Sequence, residues 1–188
     1  MPRRLPSPAI TENLYFAILP DDAAKARIAA LLGGLQSQFG LMGRRVPAEC
    51  LHVSLQSLGA HSRARPDIIA VGKRAGAAIA AATFPVTFDR VLSFGAGYGH
   101  RSIVLSGAQR LDTLSNFHTA LGDQMKLAGL GHYVRRPFAP HVTLLYRKQP
   151  IDPIDVRPIT WTARELVLVQ SLYGQSRHIH LGRWKLRG

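Results

Sequence analysis

The sequence predicts an α+β fold built on antiparallel sheets. Strand-like and helix-like segments interleave along its 188 residues. The strand-like segments alternate apolar and polar positions, whereas parallel strands covered on both faces run continuously apolar. The order strand, helix, strand also occurs twice, and each time the last strand carries nearly the same tetrad, LHVSL at Leu51–Leu55 and PHVTLL at Pro140–Leu145.

Each element has its own signal. Residues 1–10, interrupted by Pro2, Pro6 and Pro8, read as a tail before a single domain over 11–188. NLYFAILP from Asn13 is dense in aromatic and aliphatic residues and stops at Pro20, as a buried strand does. Asp21 or Asp22 can cap the helix that follows. Its Ile28, Leu31, Leu32, Leu35 and Phe39 recur at three- and four-residue spacing, and Gly33, Gly34 and Gly40 weaken its end. A short basic strand at Arg44–Val46 precedes the first tetrad, and a second helix starts near Pro66 and runs through the alanine-rich stretch. FPVTFDRVLSF and RSIVLSG are strands flanking the glycine-rich loop at Gly95–Gly99, which opens no helix and so is no dinucleotide fingerprint. A third helix places Leu111, Leu114, Phe117, Leu121 and Met125 on one face, with Gly129 after its last turn. After the second tetrad, RKQPIDPIDVRP reads as a proline-spaced connection, and ITWTARELVLVQSL and HIHLGRWKL close the chain as two strands.

Composition narrows the function. Lys and Arg number 24 against 11 Asp and Glu, a net charge of +13, which suits a polyanionic partner, nucleic acid first. The single cysteine, Cys50, cannot form an internal disulfide or a structural zinc site and reads as a small buried residue. No apolar run is long enough to span a membrane and no leader follows the N-terminal arginines, so a cytoplasmic location is expected.

The tetrads carry the chemistry. Side chains alternate along a strand, so His52 and Ser54 share one face, roughly 7 Å apart, with Val53 and Leu55 behind them. His141 and Thr143 repeat this, with Val142 and Leu144 behind. Two imidazoles supply what a metal-free phosphodiester hydrolysis needs, one accepting a proton from water and the other donating one to the departing oxygen. Ser54 and Thr143 can hold the phosphate oxygens, and Arg135, Arg136 and Arg147 can add positive charge. Neither hydroxyl sits in a nucleophile-elbow turn. His178 and His180 read as terminal-strand packing. His61, His100, His118 and His132 read as surface or capping residues, with His132 and Tyr133 near enough to the second tetrad to line a pocket.

The frames VPAECLHVSLQSLG (Val46–Gly59) and RPFAPHVTLLYR (Arg136–Arg147), with the opening LYFAILPDDAAKARI and the closing LVLVQSLYGQSRHIHLGRWKL, resemble the two-histidine phosphoesterase superfamily. Within it they resemble the RNA 2′,3′-cyclic phosphodiesterases, also called 2′-5′ RNA ligases, which carry a His-x-Thr-x motif. The resemblance implies a bilobal fold, two antiparallel sheets with flanking helices around a pseudo-twofold cleft. It implies opening of 2′,3′-cyclic phosphate ends of RNA to 2′-phosphates, with reversible 2′-5′ ligation of tRNA halves in some members, and no cofactor or metal. By position His141 would activate water, His52 would protonate the leaving 3′ oxygen, and Ser54 and Thr143 would hold the phosphate. The family usually has an aromatic residue at the place of Ser57, and often an arginine at that of Tyr146. Arg147 lies one step beyond, on the other face of a regular strand, so Tyr146, Arg147 and Arg136 all stand as substrate-binding candidates. Two other readings stay open: the same chemistry on small cyclic nucleotides such as ADP-ribose cyclic phosphate or 2′-5′ oligonucleotides, or an RNA-end-binding module without catalysis. A monomer is expected.

Overall fold

In the computed structural model, residues 11–95, 101–107 and 111–188 are described. The expected tail over 1–10, the middle of the glycine-rich loop and His100 lie outside them. Chain order runs β1 (Glu12–Ile18), α1 (Asp22–Phe39), β2 (Arg44–Arg45), β3 (Val53–His61), α2 (Pro66–Ala77), β4 (Phe84–Phe94), β5 (Arg101–Ser106), α3 (Asp112–Leu127), β6 (His141–Arg147), β7 (Ile154–Ala163), β8 (Glu165–Leu172) and β9 (Arg177–Lys185).

The strands form one antiparallel path, β7-β4-β5-β6-β3-β1-β8-β9, with β2 beside β6. Its middle is a narrow seam. β6 and β3 pair only at Val53 with Val142, both fully buried, so the path divides into two four-stranded halves whose innermost members are the tetrad strands. The halves match in position across the seam: β6 with β3, β5 with β1, β4 with β8, β7 with β9. In chain order, too, β1–α1–β3 and β5–α3–β6 correspond. The two sheets implied by the sequence are thus joined at one residue pair, with the two tetrads on either side of the join.

Helix boundaries follow local chemistry. The Asp21 carboxylate accepts the Ala24 N–H at 2.7 Å and caps α1, and Gly40 ends it at φ 58°, a left-handed conformation suited to glycine. Ile28, Leu32 and Leu35 are buried, but Phe39 is 52% exposed, outside the face its spacing predicted, because it stands in the last turn as the chain leaves the core. α2 stops at Ala77, short of the end of the alanine-rich run. The following residues are drawn into pairing with the C-terminus, Ala82 bridging Arg187 and the Arg187 N–H reaching the Ala81 carbonyl at 2.8 Å. Gly76 on α2 and Gly182 on β9 both press against the Trp184 ring, where an added Cβ would fall within 2.6 Å.

The C-terminal region holds three strands where the sequence suggested two. β7 begins at Ile154, inside the proline-spaced connection, and the break to β8 falls at Arg164. Pro158 is tolerated there because β7 is an edge strand, paired only to β4.

Candidate active site

Val53 and Val142 fix where the tetrads meet. One residue outward from that antiparallel pair, His52 lies across from Thr143 and Ser54 across from His141. Residues directly opposite share a face, so both imidazoles and both hydroxyls stand on the side away from the buried valines.

Each imidazole is oriented by the carbonyl two residues before it. His52 Nδ1 is 2.7 Å from the Cys50 carbonyl, and His141 Nδ1 is 2.8 Å from that of Ala139. A carbonyl only accepts, so Nδ1 carries the proton in both rings and Nε2 is left to exchange protons. In neutral His52, Nε2 accepts from the Ser54 hydroxyl at 3.0 Å. Burial drives the His52 pKa down to about 4, with the fields of His178 and His141 adding to it and the Cys50 carbonyl opposing. Burial also lowers His141, opposed by the Ala139 carbonyl.

Both strands turn irregular just after their tetrads, and in the same way. Along β6, Thr143 faces Val104 but Leu145 faces Ile103, two steps against one. Along β3, Ser54 faces Ala17 while Ser57 faces Tyr15, three steps against two. Each register shift is a β-bulge. Two consecutive residues are buried as a result, Leu144 and Leu145 in β6, Leu55 and Gln56 in β3. Alternation then resumes one position late. The bulge turns Tyr146 onto the tetrad face, where it lines the cleft, and turns Arg147 away; Arg147 is not among the lining residues and its Nε is buried without a hydrogen-bond partner among the described residues. Arg136 is exposed and also outside the lining, its charge felt by His118 and Asp123 of α3.

The cleft, about 550 Å³, is lined by His52, Thr143 and Tyr146, with Ser54 and His141 outside its lining, together with residues that sequence reasoning missed. Tyr15 stacks on His52 with centroids 4.9 Å apart, and His178 meets His52 edge-on at 5.1 Å. The Tyr15 hydroxyl and His178 Nε2 are 3.2 Å apart; burial holds the phenol well above its ordinary pKa and lowers that of His178. His178 is therefore a wall of the site, not mere terminal-strand packing. Nothing in the pattern of β9 marked it, since what carries the β8–β9 hairpin to the cleft is the pairing of β8 with β1, far away in the sequence. Cys50 is buried as expected, yet it also anchors the wall: its carbonyl holds His52 and its Sγ donates to the Ser176 carbonyl at 3.2 Å.

Arg44 enters from β2. It pairs with Tyr146, lays its guanidinium 4.8 Å from the centre of that ring, and reaches the Ser176 hydroxyl at 3.4 Å. Gly43 permits this approach, because a Cβ there would lie 2.6 Å from the Tyr146 carbonyl oxygen.

His118 is a further correction. It is 3% exposed, 2.9 Å from Gln56 Nε2 and stacked on Phe138 at 4.1 Å. Gln56 Oε1 in turn accepts the Arg135 N–H at 3.1 Å. This buried network ties α3 and β3 to the segment that delivers Ala139 and His141. His132 and Tyr133 touch each other with their rings tilted by 42°, outside the cleft lining.

A pair of oriented imidazoles and a pair of hydroxyls, related across the seam of an antiparallel sheet, define a two-histidine phosphoesterase architecture. The sequence matches the 2′-5′ RNA ligase superfamily over residues 14–174, and the chain belongs to that family. No curated protein matches it in sequence. Among solved structures it is similar to a phosphoesterase, at 25% identity and TM-score 0.73 over 95% of this chain and 99% of that one. It is also similar to E. coli LigT in apo form, at 25% identity and TM-score 0.69 over 96% of this chain and 100% of that one. The E. coli LigT complex with 3′-AMP matches at the same identity, TM-score and coverage.

Proposed function

We propose that the protein is a phosphodiesterase that opens 2′,3′-cyclic phosphate ends of RNA to 2′-phosphates, with His52 and His141 as the proton-transferring pair and Ser54 and Thr143 as phosphate ligands. The observation that carries this reading is the matched pair of imidazoles, each with Nδ1 tied to a carbonyl and Nε2 left to act, beside two hydroxyls on one face. The +13 charge and the likeness to LigT bound to 3′-AMP support a nucleotide substrate.

In hydrolysis one neutral imidazole removes a proton from water as its oxygen bonds to phosphorus. The bond from phosphorus to the 3′ oxygen breaks, and the other imidazole, protonated, gives its proton to that oxygen. The division carried over from relatives has His141 facing the water and His52 the leaving oxygen. Because burial disfavours the charged form of His52, this division requires the negative charge of the bound phosphate to restore the imidazolium. Ser54 is coupled to that step. Once Nε2 is protonated it no longer accepts from Ser54, so its N–H can face the leaving oxygen while the Ser54 hydroxyl turns to hydrogen-bond a phosphate oxygen. With a 5′ hydroxyl in place of water, the same groups in the same roles give a 2′-5′ ligation, and cleavage of that 2′-5′ bond runs the step backwards with the roles exchanged.

The test is an oligonucleotide with a 2′,3′-cyclic end, incubated in EDTA. Turnover to the 2′-phosphate is expected, and His52→Ala and His141→Ala should each lower kcat/KM by roughly 10²-fold or more. Absence of product, or product formed equally well by both variants, would sink the reading.

A further inference from the structure

The cleft takes in two of the four groups of the tetrads, His52 and Thr143, and the polar side chains beside them have a consistent chemistry. Its other polar side chains are those of Arg44, Tyr146, Tyr173, Ser176 and His178, with Asn13 and Ser171 and the Cys50 thiol. All of these carry hydrogen-bond donors or can do so. No carboxylate is among the lining residues; Glu49, whose field reaches Cys50 and His178, stands outside it. Arg44 ion-pairs with no carboxylate among the described residues. Its guanidinium lies over an aromatic ring, which keeps it oriented without neutralising it. A cleft of about 550 Å³ also exceeds what one phosphate occupies and falls in the range of a small organic ligand. From Thr143 to Tyr146 is at most roughly 10 Å by strand rise, and the bulge at Leu144 shortens it, a span that one nucleotide bridges.

Resting on the phosphodiesterase reading above, we infer that Arg44, Tyr146, Ser176 and His178 bind a second phosphate, the one on the 5′ side of the nucleotide whose ribose carries the cyclic phosphate. The preferred substrate class is then a nucleotide with a further phosphoryl group. A nucleoside 2′,3′-cyclic monophosphate is a poor substrate by comparison. Two sources offer this chemistry, the 5′ phosphodiester of an RNA end and the pyrophosphate of an ADP-ribose-type cyclic phosphate.

Calorimetric titration of the full chain with adenosine 3′-monophosphate and with adenosine 3′,5′-bisphosphate tests the subsite without requiring turnover. The bisphosphate is expected to bind at least tenfold tighter. The advantage should shrink to about twofold or less in Arg44→Ala, and it should be salt-sensitive, because the contact is between charges. Equal affinities, or an advantage that survives Arg44→Ala, overturn the inference even if cyclic ends are hydrolysed. Loss of hydrolysis with the preference intact would instead remove the reaction and keep the subsite. Turnover of a dinucleotide cyclic phosphate beside ADP-ribose cyclic phosphate, each in the presence of the other, then separates the two sources. Preference for either one over adenosine 2′,3′-cyclic phosphate agrees with the inference; no preference for either contradicts it.

Discussion

At the scale of single residues, the proposed acid–base pair consists of two imidazoles whose charged forms are disfavoured by burial. The working state of an acid–base pair holds one proton between its two members. Both pKa values fall below the ordinary 6.5, that of His52 to about 4, so the free enzyme loses its last proton on the acid side of the usual imidazole range. Since kcat/KM reports the free enzyme, it should peak between about pH 4 and 6.5 and decline toward pH 8. A bound phosphate anion favours the imidazolium, so the limbs of kcat should lie at higher pH than those of kcat/KM. Steady-state profiles on a cyclic-phosphate substrate check both. An optimum of kcat/KM above pH 7 would contradict the electrostatic account of His52.

Elements explain why the tetrads were legible in the sequence and their surroundings were not. A regular two-residue alternation suffices to place His52 with Ser54 and His141 with Thr143 on one face, and the buried Val53 and Val142 behind them agree with it. The next residues break the rule, because a bulge is a property of two paired strands. Neither LLYR nor LQSL announces the extra residue that turns Tyr146 into the cleft and Arg147 out of it. Pro158 misled in the same way: whether a proline ends a strand depends on which strands lie beside it. His118 looked like a surface residue on an amphipathic helix until β3 supplied Gln56 as its partner. Gly43 makes the β2–β6 pairing testable. A methyl group added there would put its carbon 2.6 Å from the Tyr146 carbonyl oxygen, which belongs to the backbone and cannot yield as a side chain would, so Gly43→Ala should push β2 away. Expected are a stability loss of about 1–3 kcal/mol, faster amide exchange at Val46, whose N–H bonds the Leu144 carbonyl at 2.9 Å, and a weaker preference for the bisphosphate. Native protection at Val46 together with native preference would refute this account of Arg44's placement.

The molecule as a whole carries its histidines in a way that links folding to pH. His52, His118, His141 and His178 all have pKa values lowered chiefly by burial. For a base the sign is fixed. Below the unfolded value near 6.5, the unfolded chain takes up protons that the folded one refuses, so stability is lost as pH falls. The loss is about 1.4 kcal/mol per pH unit for each imidazole that stays neutral in the fold; for His52 the window runs from 6.5 down to about 4, and the other three add over narrower windows. Against a typical total of about 5–15 kcal/mol, Tm should fall clearly between pH 7.5 and 5. A net charge of +13 offers a competing cause, since acid raises self-repulsion too. Salt divides them: at roughly 0.5 M the screening length shrinks to a few Å and repulsion between surface charges fades, while the penalty for protonating a buried ring does not. Thermal unfolding followed at both low and high salt should therefore show an acid decline that persists when repulsion is screened. A Tm that becomes independent of pH at high salt would assign the decline to overall charge and remove the buried imidazoles as its cause.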